Sequence, residues 1–201
     1  MEQLSTNFKI FKPKKKRIFT HKMNLQKEEK KFWQKHFRIE KLDDIPKELP
    51  NIGGYGYGDE QTDDYFYFIS LRVEIVHEIY LKESYVTDEG VKHMMNFKEL
   101  KKLHLRRHKG ITKKSIPYFN QMESLESLNI TKTSITLTDL CEHLNNQCLK
   151  EVFLDSLEDI DTEESILENA YVLKQRMPNC NIYLDCSSAI DGFNNLEKPI
   201  F

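Results

Sequence analysis

The sequence predicts an α/β solenoid, in which short parallel strands alternate with helices in a stack of similar modules. Three observations carry this prediction. An apolar triad recurs along the chain as Val76, Ile79 and Leu81; Leu100, Leu103 and Leu105; Leu125, Leu128 and Ile130; and Leu149, Val152 and Leu154. Its middle position advances by 24, 25 and 24 residues, with a fainter copy at Ile182 and Leu184 after a gap of 30. Within each module the apolar period switches from two to about 3.6, as a strand giving way to a helix requires.

Taken in order, residues 1–20 form a basic arm containing Lys12-Pro-Lys-Lys-Lys-Arg17, where Pro13 and clustered charge oppose a helix and favour a solvated, flexible segment. The same run resembles a nuclear-import signal, and such charge can also contact phosphate. No aromatic-rich binding module accompanies it, so nucleic acid is not the expected partner. Residues 21–70 form an N-terminal cap. Its helix is expected over 24–38, with Asn24 as N-cap and Leu25, Phe32, Trp33, His36 and Phe37 on one broad face. Pro46 and Pro50 break the segment after this helix. The run Gly53-Gly-Tyr-Gly-Tyr-Gly58 lacks the lysine and spacing of a phosphate loop, and the acids after it lack calcium-loop spacing, so a mobile loop is expected. Tyr65–Ile69 is aromatic, and Leu71, Val73 and Ile75 alternate with polar residues, which predicts strand structure.

Residues 71–186 hold the recurring modules. In each, the L-x-L segment is a strand with its leucines facing inward. A helix follows, opening at Val86-Thr-Asp-Glu-Gly-Val91, Ile111-Thr-Lys-Lys-Ser-Ile116, Ile135-Thr-Leu-Thr-Asp-Leu140 and Ile160–Ile166. Thr87, Thr112, Thr136 and Asp161 are the expected helix caps. Neither half can bury its apolar face alone, and stacking makes a continuous core. Helices are wider than strands, so the stack should curve with its sheet concave. Residues 187–201 form a C-terminal tail.

These modules resemble leucine-rich repeats, whose pattern is L-x-x-L-x-L in a unit of 20–29 residues. Val86-Thr-Asp-Glu-Gly-Val91 is similar to the I-T-D-x-G-L segment of the short bacterial-style variant. The resemblance implies a parallel sheet on the concave face, helices on the convex face and an N-terminal helix/strand cap. The family's Asn/Cys position after the strand is Ser84, His108, Thr133 and Leu157 here. Ser and Thr can still bond a turn backbone, whereas Leu157 cannot, so the fourth turn should be irregular.

Strand alternation turns the remaining side chains to the concave face, which the family usually uses for binding. The candidate protein-binding residues are Glu78, Tyr80, Lys82, Lys102, His104, Arg106, Asn129, Thr131, Glu151, Phe153, Asp155, Tyr183 and Asp185. Five strands about 4.8 Å apart span about 20 Å, enough for a helix or loop of a partner. Aromatic and Arg side chains on such a face match the composition of binding hot spots; the alternative is that Phe153 and Tyr183 pack beneath a loop or the tail. His104-Leu-Arg-Arg-His108 would turn His104, Arg106 and His108 one way, and with Lys82 and Lys102 they suit an acidic loop or phosphate.

Catalysis has little support, since no nucleophile elbow, H-E-x-x-H or kinase set occurs. No metal or cofactor is expected. Cys141, Cys148, Cys180 and Cys186 match no common zinc spacing and read as reduced thiols. The net charge of −2 divides unevenly: residues 1–50 carry 14 Lys+Arg against 7 Asp+Glu, and the remainder 16 against 25. No membrane-length apolar run or secretory leader is apparent. The expectation is a cytoplasmic (or, given Lys12–Arg17, nuclear) non-catalytic module that binds another protein. An immunity or antitoxin-like protein that neutralises a bacterial toxin and an adaptor subunit of a larger complex are the sharper alternatives, and an enzyme is the least supported.

Overall fold

The computed structural model describes residues 15–55, 61–156, 162–186 and 197–200. The chain divides into two compact parts, Met1–Asp44 and Ile45–Phe201.

The N-terminal part is built on α1, Lys15–Phe37. It is longer than the expected 24–38: Asn24 lies inside it rather than capping it, and the last residues of the basic arm are helical. An aromatic cluster follows from helical spacing, with Trp33 and Phe37 ring centroids 4.7 Å apart and Phe32 and His36 also 4.7 Å apart. Lys35 and His36 complement the negative end of the helix dipole. The helix stops at Arg38, whose φ is 58°, and the Arg38 and Ile39 amides donate back to the Gln34 and Trp33 carbonyls. Lys12, Pro13 and Lys14 lie outside the described residues.

The second part is α/β, with one parallel six-stranded sheet whose strand order equals chain order. Its strands are β1 (Glu48–Tyr55), β2 (Ile75–Lys82), β3 (Lys102–Arg106), β4 (Ser127–Asn129), β5 (Glu151–Leu154) and β6 (Asn181–Leu184). Helices lie between them: α2 (Asp63–Ser70), α3 (Asp88–Met94), α4 (Ile116–Phe119, after a 3₁₀ turn at Lys113–Ser115), α5 (Leu137–His143) and α6 (Glu163–Arg176). The expected register holds across five strands: Ile79 pairs with Leu103, Leu103 with Leu128, Leu128 with Val152 and Val152 with Ile182. All five are fully buried, as parallel strands flanked by helices require.

The regular body begins at β1, not at residue 71. Ile52 pairs with Ile79 and Gly54 with Leu81, so the glycine–tyrosine run begins as a strand of the sheet rather than the expected loop; its residues 56–58 lie outside the described residues. Pro50 is accommodated because β1 is an edge strand. Gly54 leaves space for the Gln61 side-chain amide, which a Cβ there would displace and which donates to the Gly53 carbonyl at 3.2 Å. The aromatic run after it is a helix, not a strand. Thr62 accepts a bond from the Tyr65 amide at its N-cap, Asp63 and Asp64 fill its first turn, and Phe66 and Ile69 bury one face. Leu71 is 42% exposed and precedes the strand, which starts at Ile75.

Thr87, Thr112 and Thr136 cap their helices as expected. The last helix is capped by Thr162; Asp161 lies outside the described residues, as does Leu157. The first caps are tied together across modules. The Asp63 carboxylate accepts from the Thr87 amide (2.8 Å) and hydroxyl (2.6 Å) and from the Gly90 amide (2.9 Å). One module on, Asp88 accepts from the Thr112 amide (2.8 Å) and hydroxyl (2.7 Å) and from the Ser115 hydroxyl (2.6 Å). The next equivalent residue is Lys113, so the series ends; Thr136 instead closes a capping box with Asp139. Buried Asn146 then takes over at the other end of the helices, donating to the Phe119 and Met122 carbonyls of the previous module.

Candidate binding surface

Ten of the thirteen predicted residues stand on the strands, and Thr131, Asp155 and Asp185 lie just beyond the strand ends; the set divides into two halves. In the β2–β3 half, Lys102 is exposed and Glu78, Tyr80, Lys82, His104 and Arg106 are half-buried. In the β4–β6 half, Asn129, Thr131, Phe153 and Tyr183 are buried, at 0, 4, 2 and 7% exposure. Those four are therefore corrected from surface contacts to packed residues. Phe153 and Tyr183 stack face to face, with centroids 4.7 Å apart and planes 14° apart. Asn129 uses its side-chain oxygen to accept from the Thr131 amide and hydroxyl. Glu151 is half-buried and accepts from the Ser127 hydroxyl at 2.6 Å.

Asp155 and Asp185 also have internal work. Asp155 accepts from the Lys132 amide, and Asp185 accepts from the Ser156 amide (2.9 Å) and hydroxyl (2.7 Å). Each carboxylate thus fixes the turn leaving the preceding strand, although Asp185 is exposed.

The β2–β3 half is an ordered polar and aromatic cluster. The Tyr80 hydroxyl donates to Glu78 at 2.9 Å, Lys102 pairs with the same carboxylate at 3.0 Å, and the Tyr80 and His104 rings meet edge to face at 4.7 Å. The Lys102 ammonium, then the Tyr80 hydroxyl, hold the Glu78 carboxyl below the usual range. Burial, with the Glu78 hydrogen bond, raises the Tyr80 phenol. Burial, aided by Lys102 and Arg106, drives the His104 imidazole down to about 4, so it is neutral near pH 7. His104 Nε2 and Arg106 Nε are buried without a hydrogen-bond partner. Lys82 stands in register with Arg106, so two cations sit on adjacent strands.

His108 does not join this face. β3 ends at Arg106, and the chain turns at Arg107, whose φ is 61°. His108 folds inward, 2% exposed, where its Nε2 accepts from the Ser84 amide at 3.1 Å and lies 2.8 Å from its hydroxyl. Thr133 fills the equivalent place by donating to the Ile130 carbonyl at 2.8 Å.

A groove not anticipated from sequence runs past the C-terminal ends of β2 and β3. It encloses about 560 Å³ and is lined by residues 83–87 and 107–110 together with Lys132. Its signal was present: Glu83, Arg107 and Lys132 follow the L-x-L segments at the module spacing, and all three have φ near 60°. Apolar periodicity does not register charged residues, which is why it passed over them.

Among the described residues no group of three or more His, Cys, Asp or Glu is placed to hold a metal, and no helix is long and apolar enough to cross a membrane. Cys180 is buried and its thiol is pushed up to about 12 by burial, and none of the four cysteines is in a disulfide. No family model matches the chain, and no curated protein matches it.

Proposed function

We propose that the chain is a short leucine-rich-repeat solenoid that binds another protein, without chemistry of its own, through the β2–β3 half of the sheet. The observation that carries this reading is the Glu78–Tyr80–Lys102–His104 cluster with Arg106 beside it. Its side chains are held in place before any partner arrives, which lowers the ordering cost of association. Lys102 is exposed and Glu78, Tyr80, Lys82 and Arg106 are half-buried, so the cluster still offers charged and aromatic groups to a partner. A toxin neutralised by an immunity protein and the target of an adaptor are both partners of this kind.

The test is affinity capture from the native cell, with the wild type beside a Tyr80→Ala/His104→Ala/Arg106→Ala variant. Phe153 is left intact because its burial makes it a folding residue. A protein retained by the wild type and lost by the variant supports the reading, and its identity separates toxin from adaptor target. Equal retention by both refutes this face as the site.

A further inference from the structure

We propose that the groove at the C-terminal ends of β2 and β3 is a second docking site, which takes an acidic, apolar-containing segment of a partner protein. The groove is walled by Tyr85, 59% exposed, and floored by Val86, Thr87 and buried His108. Its charged lining is Glu83, Arg107, Lys109 and Lys132. Glu83 and Arg107 neutralise each other at 2.5 Å. Lys109 and Lys132 are exposed and have no ion-pair partner among the described residues, so the groove presents net positive charge.

The backbone supplies an independent argument. Glu83, Arg107 and Lys132 have φ of 59°, 61° and 58°. Gly or Asn adopts that conformation more readily than these residues do. Charged side chains stand in strained positions at one place in three successive modules, all of them bordering this groove. The fold uses the turn itself, since the Glu83 and Arg107 amides donate to the Arg106 and Thr131 carbonyls, but it does not require a cation at position 132, where the left-handed residue of the third module adds a lysine to the groove.

The surroundings favour a short peptide over nucleic acid. Residues 51–201 carry 16 Lys+Arg against 25 Asp+Glu, so a long polyanion would be repelled beyond the groove. A brief acidic segment meets only the local cations, and its apolar side chain covers Tyr85.

The experiment measures fluorescence anisotropy of a short labelled peptide, Asp and Glu around a single Leu, with the full chain at low and high ionic strength. Wild type should bind, and added salt should weaken binding. Lys109→Glu/Lys132→Glu should reduce affinity by at least about tenfold, as reversal of two complementary charges does. Lys109→Gln/Lys132→Gln should give an intermediate loss, and Tyr85→Ala a loss that salt does not alter. Lys114→Glu, an exposed charge outside the groove, should leave binding unchanged. Absence of wild-type binding, an equal loss in Lys114→Glu, or tighter binding of a single-stranded oligonucleotide lost in the same double variant would each overturn the proposal. The Tyr80→Ala/His104→Ala/Arg106→Ala variant should bind the peptide normally, so the two surfaces fail or stand separately.

Discussion

Asp63 holds Thr87 by both of its carboxylate oxygens: Oδ1 accepts from the Thr87 amide at 2.8 Å and Oδ2 from its hydroxyl at 2.6 Å. Twenty-four residues separate them, so the cap of one helix is set by the first turn of the helix before it. Asp63→Ala should destabilise the protein by about 1–3 kcal/mol, since it strands donors that charge-assisted bonds had satisfied. Urea unfolding checks this, and Asp88→Ala should match it because Asp88 repeats the arrangement on Thr112.

Gly90→Ala tests the same contact from the other side. Gly to Ala within a helix ordinarily stabilises by up to about 1 kcal/mol. Here a Cβ would lie 2.5 Å from Asp63 Oδ1 and 2.8 Å from Val86 Cγ1. The substitution should therefore destabilise, with a lower melting temperature than wild type in a thermal scan.

Leu128 is fully buried in the middle of the sheet core, in register with Leu103 and Val152. Leu128→Ala should cost about 2–5 kcal/mol. Leu71→Ala, at a position 42% exposed, should cost far less. Equal losses in denaturant titrations would contradict the register.

His104 makes stability depend on pH. Burial lowers its folded pKa to about 4, against an ordinary value of 6.5. Above the ordinary value both folded and unfolded states hold it neutral, and its full contribution is present. As pH falls from about 6.5 to about 4 the unfolded state takes the proton first, so stability is lost through that window. The loss from this group is on the order of 3 kcal/mol. Burial also lowers His93 and His108, which adds in the same direction. His104→Gln should flatten the stability–pH curve between pH 6.5 and 4, measured by urea unfolding.

The parts of the fold legible in the sequence are those where leucine spacing alone decides the structure. Ile79, Leu103, Leu128, Val152 and Ile182 fall in one row because each strand must bury the same alternate residues. β1 was hidden because Gly54 stands where Leu81 stands in the next strand, leaving Ile52 to carry the apolar signal of the strand. α2 was hidden because Asp63–Ser70 is dense in aromatics that favour strands, whereas Thr62 and two first-turn acids favour a helix start. On the opposite face, alternation told which residues share a side but not which are covered. Phe153 and Glu151 are equivalent by pattern, yet Phe153 is buried and Glu151 is half-buried. Asp155 and Asp185 looked available because a bond to the neighbouring turn leaves no trace in periodicity.

The exchange of Asp for Lys at position 113 has a consequence for how the molecule comes apart. Before it, adjacent modules are laced at their helix starts, through Asp63 to Thr87 and Asp88 to Thr112. After it, the helix starts keep a longer ion pair, Lys113 to Asp139 at 3.5 Å, in place of the carboxylate-to-cap bonds, and further ties form at the helix ends, through Asn120 to Asn145, Asn146 to Met122 and Arg176 to Leu144. Local opening should follow that grain. In native-state hydrogen exchange, the Thr87 and Thr112 amides should exchange slowly together with their Asp partners' helices, while Asn145 and Cys148 report a separate event. The sheet is continuous, but the lacing weakens where Lys113 replaces an acid, and partial unfolding is expected to begin there rather than fray evenly from either terminus.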